Sequence, residues 1–293
     1  MRLRIGTRRS RLALAQAEEV SDLLRARGHL VEVAPMTTAG DRGASPEAYG
    51  IKGLFVGDIT EAVVRGEIDL AVHSAKDLPS NDPPGVEVVA VPQRGLPYDV
   101  LVTREPGLPE RPVVGTSSLR RRAQYLRIRG DADVRDVRGN VDTRLRRLED
   151  GPIDGLILAA AGLARLGVTP THVHPLPVDE MVPAPGQGAL AVQGRVGPAG
   201  EAAAEIDHLP SRTAFEAERR VVSLLGGGCR LPLGAYAETR RNAVRLLAVV
   251  VRPDGSDLLW SQVEADTAED AAAEAAEILR SAGAEDILRA LEQ

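Results

Sequence analysis

Short apolar runs alternate with helical periodicities along the first two thirds of this chain, and that alternation predicts an α/β fold. Leu3-Arg4-Ile5 reads as a strand, and Gly6-Thr7-Arg8-Arg9-Ser10 turns into a helix running to about Arg27, with Ser10 as its N-cap. Val31–Met36 is a second strand, a helix is expected over 58–65, and Ile68-Asp69-Leu70-Ala71-Val72 is a buried strand that empties into His73-Ser74-Ala75-Lys76-Asp77-Leu78-Pro79. Val86–Val91 closes this unit. The pattern then recurs. Tyr98–Thr103 and Val113–Val114 are strands, Gly115-Thr116-Ser117-Ser118 opens a helix with arginines in its first turns, Val134–Val137 is a strand before a helix from Val141, and Ile153–Leu158 is a strand.

Two short matches make this a weak internal repeat. Gly6-Thr7 and Gly115-Thr116 open the two units, and each later has Gly-x-Ile-Asp before a strand, at Gly66–Asp69 and Gly151–Asp154. Two similar α/β lobes with a cleft between them are expected. Residues 37–54 show no periodicity and are rich in small residues, so they read as a long mobile loop. The turn-rich Pro183–Ala189 segment returns the chain to the first lobe, where Ala189–Gln193 forms a strand. From about Ser211 the patterning changes to α+β. It has a helix whose Thr213 and Glu216 are spaced as a capping box, then strands near 234–237, 244–251 and 258–263, and a helix over 268–282. The expected domains are 1–94 with 187–207, 98–182, and 211–293.

Charge sharpens this picture. The 293 residues carry a net charge of −6, yet eleven arginines stand against four aspartates between Arg111 and Arg147, a local +7 that leaves −13 for the remainder. An acidic protein with one arginine-rich segment is expected to bind a small polyanion there. Nucleic acid is disfavoured, because aromatics are 2% of the chain and stacking platforms are missing. No apolar run spans a bilayer and no signal-peptide core opens the chain, so a cytoplasmic location away from membranes is expected. Only two of the 36 basic residues are lysines, Lys52 and Lys76. Where arginine has replaced lysine almost everywhere, the survivors mark positions that need a compact, titratable ammonium.

The reactive candidates are few. Asp77 arrives with Ser74 and Lys76 at a strand end, where ligands of open α/β sheets bind. One carboxylate among many arginines suits a general acid/base or the partner of a developing cation. Cys229 is the single cysteine, preceded by Gly226-Gly227-Gly228 and followed by Arg230. Its spacing fits either a small buried residue or an exposed covalent tether. A lone cysteine excludes an internal disulfide, and no metal-ligand spacing stands out.

Seven motifs, in order, give the chain its resemblance to a known family. They are Ile5-Gly6-Thr7-Arg8-Arg9-Ser10, Lys52-Gly53-Leu54-Phe55, His73–Pro79, Val114–Arg121, Arg138-Gly139-Asn140-Val141 through Arg144, Pro185-Gly186-Gln187-Gly188-Ala189, and Gly227-Gly228-Cys229. The chain resembles the porphobilinogen deaminases, or hydroxymethylbilane synthases, nearly from end to end. The resemblance implies two lobes like periplasmic binding proteins with a cleft between them, plus a C-terminal α+β domain holding the cysteine. It implies that Cys229 carries a dipyrromethane cofactor through a thioether and that Asp77 supports deamination of porphobilinogen. Arg8, Arg120, Arg121, Arg138, Arg144 and Arg165 would bind acetate and propionate side chains. Ser10, Lys52, Ser74, Lys76, Thr116, Ser118 and Gly139 would assist, with Phe55 near the growing chain. Four substrates would join head to tail with loss of ammonia, in a monomeric enzyme without metal. Ala75 and Tyr49-Gly50-Ile51 depart from the common family pattern without touching a catalytic group. The competing class is a non-catalytic two-lobe anion-binding protein, which would need neither Cys229 nor Asp77.

Overall fold

A computed structural model describes residues 1–38, 56–226 and 232–290. By the density of its contacts the chain divides into two compact units, Met1–Gly95 with Ala189–Phe215, and Leu96–Gly188 with Glu216–Gln293.

The first unit is built on a five-stranded sheet. Strands β1 (Arg2–Arg8), β2 (Leu30–Met36) and β3 (Leu70–Ser74) run parallel, and β10 (Leu190–Gly194) lies antiparallel between β3 and β4 (Glu87–Ala90). The turn-rich crossover thus does return the chain to this sheet. Helix α1 (Arg11–Ala26) buries Ala13, Ala17, Val20 and Leu24, one face at helical spacing, and its N-cap Ser10 accepts the Ala13 N–H. That face packs on Leu3, Ile5, Leu70, Val72, Leu190 and Val192. A helix over 56–64, α2, covers the other side with Ile59, Ala62 and Val63. Each fully buried Val, Leu or Ile side chain among these contributes about 1.5–3 kcal/mol. Pro35 in β2 is tolerated because β2 is an edge strand.

The second unit repeats the plan. Strands β7 (Asp133–Arg135), β6 (Val113–Gly115) and β8 (Gly155–Ala159) are parallel, and β5 (Asp99–Thr103) lies antiparallel between β8 and β9 (His172–Leu176). Helices α3 (Leu119–Ile128), α4 (Val141–Asp150) and α5 (Ala160–Leu166) follow β6, β7 and β8. The two sheets agree residue by residue. Gly6 sits opposite Ala71 in the first and Gly115 opposite Leu156 in the second. Asp69 accepts the Arg4 N–H at 2.7 Å and returns its own N–H to the Arg4 carbonyl at 2.9 Å. Asp154 does the same with Val113, at 2.8 Å both ways. The Gly-x-Ile-Asp signal therefore encodes a staple between adjacent parallel strands, with Ile68 and Ile153 covering the backbone of Gly6 and Gly115.

The C-terminal sheet is antiparallel and separate: β11 (Leu233–Arg240), β12 (Ala243–Val251) and β13 (Leu258–Ala265). One face of β12 meets Ala123 of α3 and Val182, and α8 (Ala268–Ser281) packs on β12 and β13.

Several expectations need correction. Helix α7 spans Leu209–Leu224, so Thr213 and Glu216 lie inside it and form no capping box. Pro210, preset for a first helical turn, starts the helix earlier. The strand expected over 134–137 ends at Arg135. Strand β9 and helices α6 (Pro198–Ala204) and α9 (Ala284–Arg289) carry too little apolar periodicity to be read from the sequence. Most of the loop expected over 37–54 lies outside the described residues.

Candidate anion-binding and catalytic site

In the first unit, β1 and β3 are parallel neighbours, so their C-terminal ends share one edge of the sheet. That edge brings together Arg8, Ser10, Ser74, Lys76 and Asp77. Asp77 closes a single 3-10 turn (Ala75–Asp77) and is exposed. Thr7 is wholly buried and its hydroxyl donates to the Val72 carbonyl, tying the two strand ends together. Gln16, a residue the sequence reading missed, donates from Nε2 to the Ser74 hydroxyl at 2.7 Å. The available signal was a polar residue beside the apolar face of α1. His73 is buried with Nε2 lacking a partner among the described residues. Burial, with the charge of Arg8 adding to it, pushes its imidazole down to about 4.

The second unit gathers its candidates the same way, because β7, β6 and β8 are parallel. Thr116 and Ser118 follow β6, Arg138 and Gly139 follow β7, and Arg165 lies on α5 after β8. Ser118 caps α3, accepting the Arg121 N–H, and the Thr116 hydroxyl accepts the Ser118 N–H at 3.2 Å. Gly139 has φ of +116°, in the left-handed region that favours glycine. Arg144 on α4 gives Nε to the Gly139 carbonyl at 2.7 Å. Arg138 is well exposed and paired with Asp136. Arg165 gives Nη2 to the Gly188 carbonyl at 3.0 Å.

Arg120 and Arg121 are only 4% and 6% exposed. Both bind Asp99, a wholly buried carboxylate that the sequence reading passed over, at 2.8 Å each. Burial alone would raise Asp99. The two guanidinium groups overcome it and hold the carboxyl well below the usual range, so Asp99 is charged. Arginines near a helix N-terminus oppose its dipole, and Asp99 offsets them. It does not offset all of them. Arg144 lies close enough that burial and the charge of Arg121 both lower its pKa. The Arg120 Nε is buried without a partner among the described residues. Such a surplus of buried positive charge is costly unless an anion completes it.

Lys52, Phe55 and Cys229 lie outside the described residues. Among the described residues there is no group of three or more His, Cys, Asp or Glu side chains that could hold a metal ion, and no helix is long and apolar enough to cross a membrane.

Each of the two α/β sheets carries arginines at the C-terminal edge of its parallel strands, and one of these edges also bears an exposed carboxylate. Comparison with known proteins gives the class. Residues 3–201 match the porphobilinogen deaminase dipyromethane cofactor binding domain, and residues 213–285 match the porphobilinogen deaminase C-terminal domain. The chain is 46% identical to a porphobilinogen deaminase of Desulforudis audaxviator, covering 88% of this chain and 87% of the relative. It is 44% identical to that of Thermus thermophilus, covering 90% of each. It is 43% identical to that of Syntrophotalea carbinolica, covering 99% of this chain and 96% of the relative. A solved periplasmic solute-binding protein of Desulfovibrio salexigens overlaps 71% of this chain and 72% of its own, with 11% identity and a TM-score of 0.41, too low to bear on function. The chain belongs to the porphobilinogen deaminase family.

Proposed function

We propose that the two strand-end clusters divide the work of the family reaction, in which four porphobilinogen molecules are deaminated and joined head to tail into hydroxymethylbilane. The protein is a transferase of tetrapyrrole biosynthesis, and it uses a dipyrromethane cofactor. The donor set of the second unit fits a group bearing several carboxylates, since Arg120 and Arg121 share one buried aspartate and Arg144 lies close enough to Arg121 to feel its charge. Arg138, Arg144 and Arg165, with Thr116, Ser118, Gly139 and the Nε left on Arg120, would hold the acetate and propionate side chains, and Arg121 would add its charge, because guanidinium groups form strong charge-assisted bonds to carboxylates. Cys229 would anchor the cofactor through a thioether. When bound, that group supplies the primer pyrrole to which the first substrate is joined.

In the first unit, Asp77 is the group assigned to the chemistry. Its carboxylate would accept the pyrrole N–H of the substrate and stabilise the positive charge that develops as ammonia leaves. Arg8, Ser10, Ser74, Lys76 and Lys52 would orient the substrate's own carboxylates, with Phe55 packing near the growing chain. Gln16 would steady Ser74. The three-domain division, the monomeric state and the cytoplasmic location expected from the sequence belong to the same proposal.

The observation that carries this reading is the exposed carboxylate of Asp77 at the strand end shared with Arg8 and Ser74. The test is porphobilinogen turnover by Asp77→Ala. Loss of the group that stabilises the developing charge should cut turnover by about 10³-fold, in protein that still folds and still carries the cofactor. Near-normal turnover would contradict the role given to Asp77. The non-catalytic alternative loses its footing with the family assignment.

A further inference from the structure

The turn at 185–188 holds more of the second unit's site than its sequence announces. The Gly186 N–H donates to the buried Glu218 carboxylate at 2.6 Å, and the Gly188 carbonyl accepts Arg165. Gly186 and Gly188 have φ of +75° and +86°, so both flanking positions take the left-handed backbone that glycine allows. Between them Gln187 is 1% exposed. Its Nε2 donates to the Pro97 carbonyl at 2.8 Å and to Asp99 Oδ1 at 2.9 Å, and its Oε1 accepts Arg121 Nη2 at 3.3 Å.

Asp99 and Gln187 together determine what the arginines have left to offer. Arg121 gives Nε and Nη2 to Asp99 Oδ1, and Nη1 to the Ile157 carbonyl at 3.2 Å. Every nitrogen of that guanidinium is held by the protein. Arg120 gives Nη2 to Asp99 Oδ2 and Nη1 to the Val182 carbonyl, which leaves Nε. Arg144 spends only Nε, on Gly139, and its Nη atoms meet no acceptor among the described residues.

We propose that Asp99 and Gln187 are positioning residues for the carboxylate-binding arginines of the second unit. They lock the plane of Arg121 before any ligand arrives, hold one edge of Arg120, and neutralise one of the two α3 charges. Arg121 then acts through its field, while Arg144 and the Nε left on Arg120 meet the carboxylates. An arginine side chain carries about 2 kcal/mol of rotamer entropy, and a site that has already fixed its guanidinium groups loses less of it on binding. This inference rests on the anion-binding role given above to the same arginines.

The test compares steady-state kinetics of the cofactor-loaded enzyme, with kcat normalised to the loaded fraction. Gln187→Leu keeps both arginines and the Asp99 charge but removes the bridge. Loss of one well-made polar contact to a charged group should raise KM for porphobilinogen about tenfold, with kcat falling by less than about threefold. Asp99→Asn should raise KM further. KM within about twofold of wild type in these variants, alongside a lowered melting temperature, would show a purely structural network and overturn the proposal. If Asp99→Asn fails to accumulate, Gln187→Leu decides. Arg144→Leu separates the two levels of the argument. Unchanged KM there means that the anion-binding reading fails. Raised KM there with Gln187→Leu unaffected means that only the positioning proposal fails.

Discussion

Glu218, in the middle of α7 and wholly buried, accepts the backbone N–H of Gly186 at 2.6 Å. Its other oxygen accepts the Ala237 N–H of β11 at 2.7 Å. One carboxylate thus joins a helix, a tight turn and a strand, and does so at the helix that leads toward Cys229. Glu218→Gln keeps the shape, but an amide NH2 would then face one of the two N–H donors. The expected cost is about 3 kcal/mol, since hydrogen bonds to charged groups are the strong ones and an orphaned donor adds its own penalty. Chemical denaturation would measure it, and a loss below about 0.5 kcal/mol, the range of inert surface changes, would show that the staple is not needed.

His73 predicts a pH effect. Its folded pKa lies at about 4 against an ordinary 6.5, lowered by burial and by Arg8. Between those values the unfolded chain binds a proton that the folded one does not, so stability rises with pH across this window. The contribution is fully present above about 6.5 and is lost as pH falls through about 4. Its size is about 3 kcal/mol at most. His73→Gln should flatten the slope of unfolding free energy between pH 4 and 6.5, measured by urea titration at several pH values. An unchanged slope would mean that another group titrates there.

The duplicated strand staple has a steric counterpart. A Cβ at Gly6 would fall inside the Ile68 Cδ1 methyl, and one at Gly115 would lie 2.7 Å from Val137 Cγ2. Gly6→Ala should cost about 1–3 kcal/mol through overpacking. Ile68→Val deletes the clashing methyl, so the double variant should recover part of that loss, as residues in contact couple. Strict additivity of the two single changes would contradict the packing account.

Much of this was legible in the sequence. Gly6-Thr7 and Gly115-Thr116 marked true equivalents, because the same strand pairing demands the same close approach in both sheets. The strand-end position of Asp77 followed from a buried run that stopped at a polar tripeptide. The arginine-rich segment was legible as charge but not as geometry. Nothing local in the sequence ties Asp99 to Arg120, Arg121 and Gln187, since those contacts span 21 to 88 positions. Only the antiparallel placement of β5 beside β8 brings Asp99 to the arginines. The start of α7 was misread for a related reason. Thr213 and Glu216 had capping spacing, but Pro210 and the packing of the helix set its first turn earlier.

The central claim is that Cys229 carries a dipyrromethane. Intact mass spectrometry of the purified protein tests it most directly. The mass should exceed that of the bare sequence by one dipyrromethane, and Cys229→Ser should remove both the excess mass and the turnover of porphobilinogen. A mass equal to the bare sequence, in material that consumes porphobilinogen, would contradict the account.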